Sequence, residues 1–250
     1  MVRHYQFRSL VASPPGFALA VYGLSAIALQ FPLGAMAASP TDLLAPVCSA
    51  SSGSNITCVY IEEKDTAPAP YKYFTGEVRN KLPNGSGVLV YANGDRYEGT
   101  VRNGVPSGKG MFLFVNNDRY EGDMKNGQPH GSGSFIFATG DRYTGDVRNG
   151  HPSGQGKFVY NSGNIYAGGF LLGQAKGNGS ITFRNGIRCQ GTFYNSSLQG
   201  KGSCSFPSGF PYTSYTGELR QGIPDGRGTL IFADGRKFSG EVRKGSPYMP

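Results

Sequence analysis

The stretch Tyr97–Arg119, YEGTVRNGVPSGKGMFLFVNNDR, is followed without a gap by Tyr120–Arg142 and Tyr143–Ile165, which repeat its pattern at the same 23-residue spacing. A fixed period of roughly 20–50 residues marks an array of one structural unit, and it governs every more local signal. The register extends back to Phe74–Arg96 and forward to Tyr166–Arg188 and Cys189–Pro211. After an insertion, Tyr212–Ser214, it resumes at Tyr215–Lys237 and ends in a partial unit, 238–245.

The positions of one unit are numbered 1 to 23. Position 1 is aromatic in seven of eight units (Phe74, Tyr97, Tyr120, Tyr143, Tyr166, Tyr215, Phe238), Cys189 being the exception, and position 3 is Gly in all eight. Position 5 is apolar, as are positions 16 and 18, for example Phe112/Phe114, Phe135/Phe137 and Phe158/Tyr160. Apolar residues at alternate positions give a period of two, the pattern of a strand with one buried face. Each unit is expected to hold two strands, near positions 1–6 and 13–18. The segment N-G-x-P-x-G between them, as at Asn103–Gly108, reads as a six-residue hairpin loop. A tighter turn is expected between units, at Asn93-Gly94 or Asp234-Gly235. Gly at positions 3 and 14 falls inside strands, and predicts an aromatic ring from a neighbouring strand lying over bare backbone.

Strand follows strand by short connections, so the expected fold is all-β. It is a single elongated, twisted antiparallel β-meander of tandem 23-residue hairpins, about fifteen strands and roughly 70 Å long. One face is aromatic, carrying Tyr97, Tyr120, Tyr143 and Tyr166 with the Phe and Tyr pairs of positions 16 and 18. Two outcomes stay open for that face: the sheet curls until the rings shelter one another, or a partner covers part of it.

The pattern Y-x-G-x-x-x-x-G-x-x-x-G-x-G with an aromatic pair and a late Gly resembles the MORN repeat (membrane occupation and recognition nexus), over about Phe74–Gly245. The chain departs from it locally. Val, Met, Leu or Phe stands at position 5 where the family often has Trp, and Lys81 and Ser196 replace the Gly of position 8. The resemblance implies a scaffold, in some relatives near anionic lipid. It also implies that such arrays occur fused to lipid-kinase or methyltransferase domains, although no catalytic domain lies in these 250 residues.

Residues 1–37 read as an export signal: Arg3 and Arg8, an uncharged apolar stretch Phe17–Leu33, then Ala35-Met36-Ala37 as a small-x-small cleavage pattern. The alternative is an uncleaved anchor, since Phe17–Ala38 is long enough to span a bilayer. The expected location is therefore periplasm, cell envelope or exterior, or the membrane. Residues 38–73 form a Ser/Pro-rich linker in which Cys48 and Cys58 are spaced for a short disulfide loop. Cys58–Ile61 reads as a short strand capping the first unit. Cys189 and Cys204 occupy positions 1 and 16 of one unit, both with inward parity. Position 1 of an antiparallel hairpin faces position 16 or 18, so the two form a candidate disulfide; buried free thiols are the alternative.

Loss of the signal removes two arginines and no acid, taking the formal charge from +8 to +6. The cations stand in rows. Position 6 carries Arg79, Arg102, Lys125 and Arg148, and position 23 carries Arg96, Arg119 and Arg142. These rows are the candidate interaction surface for an anionic lipid, an envelope polymer or an acidic protein. Acids at positions 2 and 4, such as Glu98 and Asp123, favour a blander reading, cross-strand ion pairs that keep one face soluble.

No constellation points to catalysis. His130 and His151 are read as hairpin-loop residues with no third metal ligand nearby. No Ser has the base and orienting group a nucleophile needs, and no Gly-Lys-Ser/Thr opens a helix as in a phosphate loop. No cofactor is expected, and nucleic acid is not an expected partner. The expected function is a non-catalytic exported scaffold that binds a protein or an envelope surface. An anionic-lipid module is the alternative, and the regulatory subunit of an enzyme a third reading.

Overall fold

The computed structural model describes residues 47–50, 56–59 and 71–249. The export signal and most of the linker lie outside the described residues. The described residues form strands joined by turns, with no helix. The strands are β1 Val47–Ala50, β2 Ile56–Val59, β3 Tyr71–Arg79, β4 Leu82–Tyr91, β5 Arg96–Arg102 and β6 Val105–Leu113. Then come β7 Arg119–Lys125, β8 Gln128–Ile136, β9 Arg142–Arg148, β10 His151–Val159, β11 Ile165–Leu171 and β12 Gln174–Thr182. The last six are β13 Arg188–Phe193, β14 Gly200–Ser205, β15 Tyr212–Arg220, β16 Ile223–Phe232, β17 Lys237–Arg243 and β18 Ser246–Pro247. Each pairs antiparallel with the next, so the sheet is one open meander of tandem hairpins. The backbone of β1 and β2 caps the first unit and sets Cys48 opposite Cys58.

The glycines of positions 3 and 14 face each other across every pair of strands from β3 to β17. One row runs the width of the sheet, as in Gly76↔Gly87, Gly87↔Gly99, Gly99↔Gly110 and onward to Gly228↔Gly240. The ring of position 1 lies along this row on the inner face. A Cβ added at Gly110 would sit 2.5 Å from Cε2 and Cζ of Tyr97, and one at Gly99 would sit 2.5 Å from its hydroxyl. The covering ring therefore belongs to the same strand as Gly99 and reaches across to the neighbouring one. Neither glycine can be replaced without moving the ring.

The register slips between positions 3 and 5 of a unit. In β5 against β6, Gly99 faces Gly110 but Val101 faces Pro106, so the second strand carries a bulge. The Tyr97 hydroxyl donates to the carbonyl of Thr100, the residue in that slip, at 3.0 Å. Tyr120, Tyr143, Tyr166 and Tyr215 make the same bond to Asp123, Asp146, Gly169 and Glu218. A bulge bends its strand, and here it turns the hairpin tips over the core. Gly222, at the tip joining β15 to β16, would place a Cβ 3.0 Å from Ile181 on β12, three strands away.

This bend corrects the expected loops. The connection inside a unit is a two-residue turn, Asn103–Gly104, with φ of 48° and 80°, the left-handed pair of a tight hairpin. Pro106, expected in a loop, lies in β6. The connection between units is the longer one: Gly94 N–H donates to Tyr91 O while Tyr91 N–H donates to Asp95 O. His130 and His151 consequently sit in β8 and β10, not in loops.

Two bonds staple each of the first four units to the next. At the tips, the Gly104 amide donates to Pro83 O at 2.8 Å, and Gly127, Gly150 and Gly173 repeat this to Pro106, Pro129 and Pro152. At the other edge, Asp95 Oδ1 accepts from the Val115 amide at 2.8 Å, as do Asp118 and Asp141 from Ala138 and Asn161, and Asn164 from Arg184. These bonds account for Asp95, Asp141 and Asn164 being buried polar groups, because a buried carboxylate or amide needs a partner.

Three outcomes follow. Gly110→Ala should cost about 1–3 kcal/mol by overpacking the Tyr97 ring, measured by denaturant unfolding. Asp141→Ala should cost about 1–2 kcal/mol through the orphaned Asn161 amide, while Asp141→Asn stays close to wild type, since Asn164 makes the same bond in the next unit. Burial pushes the Tyr97, Tyr166 and Tyr215 hydroxyls up to about 12. A group whose pKa is raised on folding supports the fold fully below its unfolded value, about 10, and loses that support as pH climbs through the folded value. Unfolding should therefore set in between about pH 10 and 12, with tyrosinate absorbance rising together with loss of the sheet. Tyrosines that ionise near pH 10 in the folded protein would contradict this burial.

Candidate interaction surface

Alternation along each strand gives the sheet two unlike faces. The inner face is filled. Tyr97, Tyr120, Tyr143, Tyr166 and Phe135 are fully buried, and Phe112, Phe137 and Phe158 nearly so, with Phe114 and Tyr160 packed against them. Rings touch between units, for example Tyr143 with Phe170 at 5.1 Å and Tyr166 with Phe193 at 5.8 Å. The aromatic residues are thus the core, and the open question about that face is answered by the folded-over tips. In the sixth unit the structure joins Cys189 to Cys204, which face each other across β13 and β14 with Cα atoms 4.0 Å apart. The nearest atoms inward of Gly191 and Gly202 are then backbone, not ring.

The outer face and the tips carry the charges. Arg79, Arg96 and Arg119 pair with Glu77, Glu98 and Glu121 at 2.7, 2.9 and 2.8 Å. These pairs run along one strand at two-residue spacing, not across strands as expected, because side chains two apart share a face. Lys109–Asp123, at 2.9 Å, is the pair that crosses strands in register. Such exposed pairs are worth about 0–1 kcal/mol each. Arg102, Lys125, Arg148 and Arg142 are exposed and make no ion pair among the described residues. Arg102, Lys125 and Arg148 stand on successive hairpin tips, about 10 Å apart from the spacing of two strands.

The acidic rows then stop. No Asp or Glu occurs between Asp146 and Glu218, while Arg148, Lys157, Lys176, Arg184, Arg188 and Lys201 fall in that interval. None of these six forms an ion pair among the described residues. Over the same units the outer side chains shorten, and a shallow open depression of about 700 Å³ forms above Gly179, Gly191, Gly202 and Gly217. Its walls are Asn178, Gln190, Thr192, Lys201, Ser203 and Thr216, with Thr192 bonded to Asn178 at 2.9 Å. The gap in the acidic rows was readable in the sequence, as the interval itself shows. The depression was not, because it depends on which short side chains the register brings side by side.

The tips change in the same place. The fifth unit has Leu171-Leu172 where the first four have Arg-Asn or Lys-Asn, and the sixth has Tyr194 at position 6. Their exposures, 48 %, 67 % and 59 %, are high for large apolar groups. Leu172 also holds φ 50°, a left-handed conformation that costs a non-Gly, non-Asn residue roughly 1–2 kcal/mol. Both staples are missing between these two units. Ile187 takes the place of the accepting Asp, and Pro207 of the donating amide, while Ser196 at the sixth tip makes no bond to Ala175 O. Leu172→Asn, which restores the common turn residue, should raise stability by about 1 kcal/mol in denaturant unfolding. A destabilised variant would show that Leu172 has a packing role.

The tandem hairpins agree with a known repeat family. The MORN repeat family model matches residues 74–96, 97–119, 120–142, 143–165, 166–188, 189–209 and 215–235. No curated protein matches the chain. Among solved structures, the chain is similar to the TCP domain of Drosophila melanogaster SAS-4 (dCPAP), solved in complex with a proline-rich motif of Ana2 (dSTIL). That match has 14% identity, covers 64% of this chain and 85% of that one, and has a TM-score of 0.29. The TCP10 domain of Danio rerio CPAP gives 14%, 79%, 89% and 0.29 in the same order. The G-box domain of the microcephaly protein CPAP gives 14%, 63%, 99% and 0.18. Overlaps this low carry no functional argument. The repeat pattern, its glycine row and the seven matched units together place the chain in the MORN repeat family.

Proposed function

We propose that the protein is a non-catalytic scaffold, exported to the cell envelope or exterior, whose outer face binds another protein. One observation carries this reading. The inner face is consumed by the protein's own packing, while the outer face repeats charged positions through the first four units and again in the seventh. A platform of this kind offers several similar contact points along one sheet, which raises avidity without new chemistry. Export rests on the basic and apolar segment that ends in Ala35-Met36-Ala37, and suits the Cys189–Cys204 bond. A second reading, attachment to anionic lipid, is favoured by the unpaired Arg102, Lys125 and Arg148 on successive tips.

The full chain, tagged at its C-terminus, is to be captured from its native cells after crosslinking, and in parallel sedimented with phosphatidylserine vesicles at low and high salt. Enrichment of a defined envelope protein, with weak and salt-labile sedimentation, is the expected result. Tight sedimentation without a protein partner would replace the scaffold reading with the lipid one. Recovery of Met1 in an integral membrane fraction would overturn the cleaved export signal.

A further inference from the structure

Three departures from the repeat converge on the fifth and sixth units. The outer face there lacks acid, it sinks into a depression with a backbone floor, and its tips expose Leu171, Leu172 and Tyr194. These features share a surface. Leu171 and Tyr194 have the same outward parity as Thr192, Gln190 and Lys201, because each alternates with the buried Phe170, Phe193, Cys189 or Cys204. The cation of Lys201 is not spent within the protein. Its cross-strand neighbour Glu218 accepts instead from the Arg227 amide at 3.2 Å.

We propose that the outer face of units five and six is the docking site for an acidic protein segment, whose carboxylates meet Lys176 and Lys201 and whose apolar side chain packs on Leu171, Leu172 and Tyr194. The proposal rests on the scaffold reading and names where on the scaffold the partner sits. Charge complementarity selects an acidic partner, since six cations and no acid lie between Asp146 and Glu218. The recessed floor selects an extended chain over a bilayer, because a flat surface cannot follow the depression. An exposed apolar cluster set among unpaired cations is what an amphipathic acidic segment would cover. Leu172 explains itself in the same way, as a strained and exposed residue retained at a binding tip.

The test is selection of a displayed random-peptide library on the full chain, followed by affinity measurement of the enriched peptides at two salt concentrations. The enriched peptides should be rich in Asp and Glu and carry a large apolar residue. Their affinity should fall about tenfold or more with Lys176→Glu/Lys201→Glu, and similarly with Leu172→Asn/Tyr194→Ser. Lys72→Glu, a surface change in β3, should leave it within about twofold. Thermal melts of each variant separate lost binding from lost fold, and Leu172→Asn should bind worse while melting no lower. Acidic peptides that bind all variants equally would overturn the site and leave the scaffold reading standing. Neutral or basic peptides would overturn the partner chemistry. Absence of any enriched peptide also overturns the proposal, and phosphatidylserine vesicles that bind wild type but not the same variants would assign the surface to lipid.

Discussion

Everything in this sheet depends on one contact, an aromatic ring laid flat over two backbone glycines. A single-layer sheet has no second layer to bury its apolar face, and ordinary strands would leave that face wet. Removing the Cβ from positions 3 and 14 lets the ring of position 1 lie against the main chain, where it excludes water from both strands at once. The hydroxyl of the tyrosine then meets a carbonyl at the register slip. One residue therefore supplies apolar burial, a hydrogen bond and the alignment of three consecutive features of the strand. Burial of a ring this size is worth roughly 2–3 kcal/mol, and most units repeat it.

The second device is the bulge. It tips the end of each hairpin over the ring row, so the core gains its lid from the same hairpins that form its floor. Staples join unit to unit, by backbone at the tips that form the lid and by side chain at the opposite edge. Stability in such an array is nearly a sum over units and junctions. Local repair is then natural: where Cys189 removes the ring, Cys204 opposite it supplies a covalent link in the same place.

Much of this was legible in the sequence. The period, the two strands per unit, the buried parity and the opposition of positions 1 and 16 all follow from alternation counted over eight copies. The loops were read the wrong way round, because Asn103–Gly104 and Gly108 both carry left-handed signals, and only the pairing shows that the first is a turn and the second a bulge. The histidines were displaced with them. The staple acids Asp95, Asp118 and Asp141 were overlooked although they recur at position 22, since a lone acid beside a turn usually faces water. The basic residues alternate with buried ones along the strands, but their pairing depends on side-chain reach along one strand, which periodicity does not describe. The tips of units five and six depart from the repeat, so periodicity carries no signal for them.

The junction between those two units has a mechanical meaning. A rod made of elements in series bends where its coupling is weakest, and every other described junction among the first five units is clamped at both margins. Here neither clamp forms, and the junction is carried by the backbone ladder of β12 with β13, from Gly177↔Phe193 to Thr182↔Arg188. Thermal bending of the array should concentrate at this joint, so the segment before it and the segment after it behave as two stiff arms. A partner seated across the joint would act as a splint, and occupancy of one short surface would set the angle between the arms.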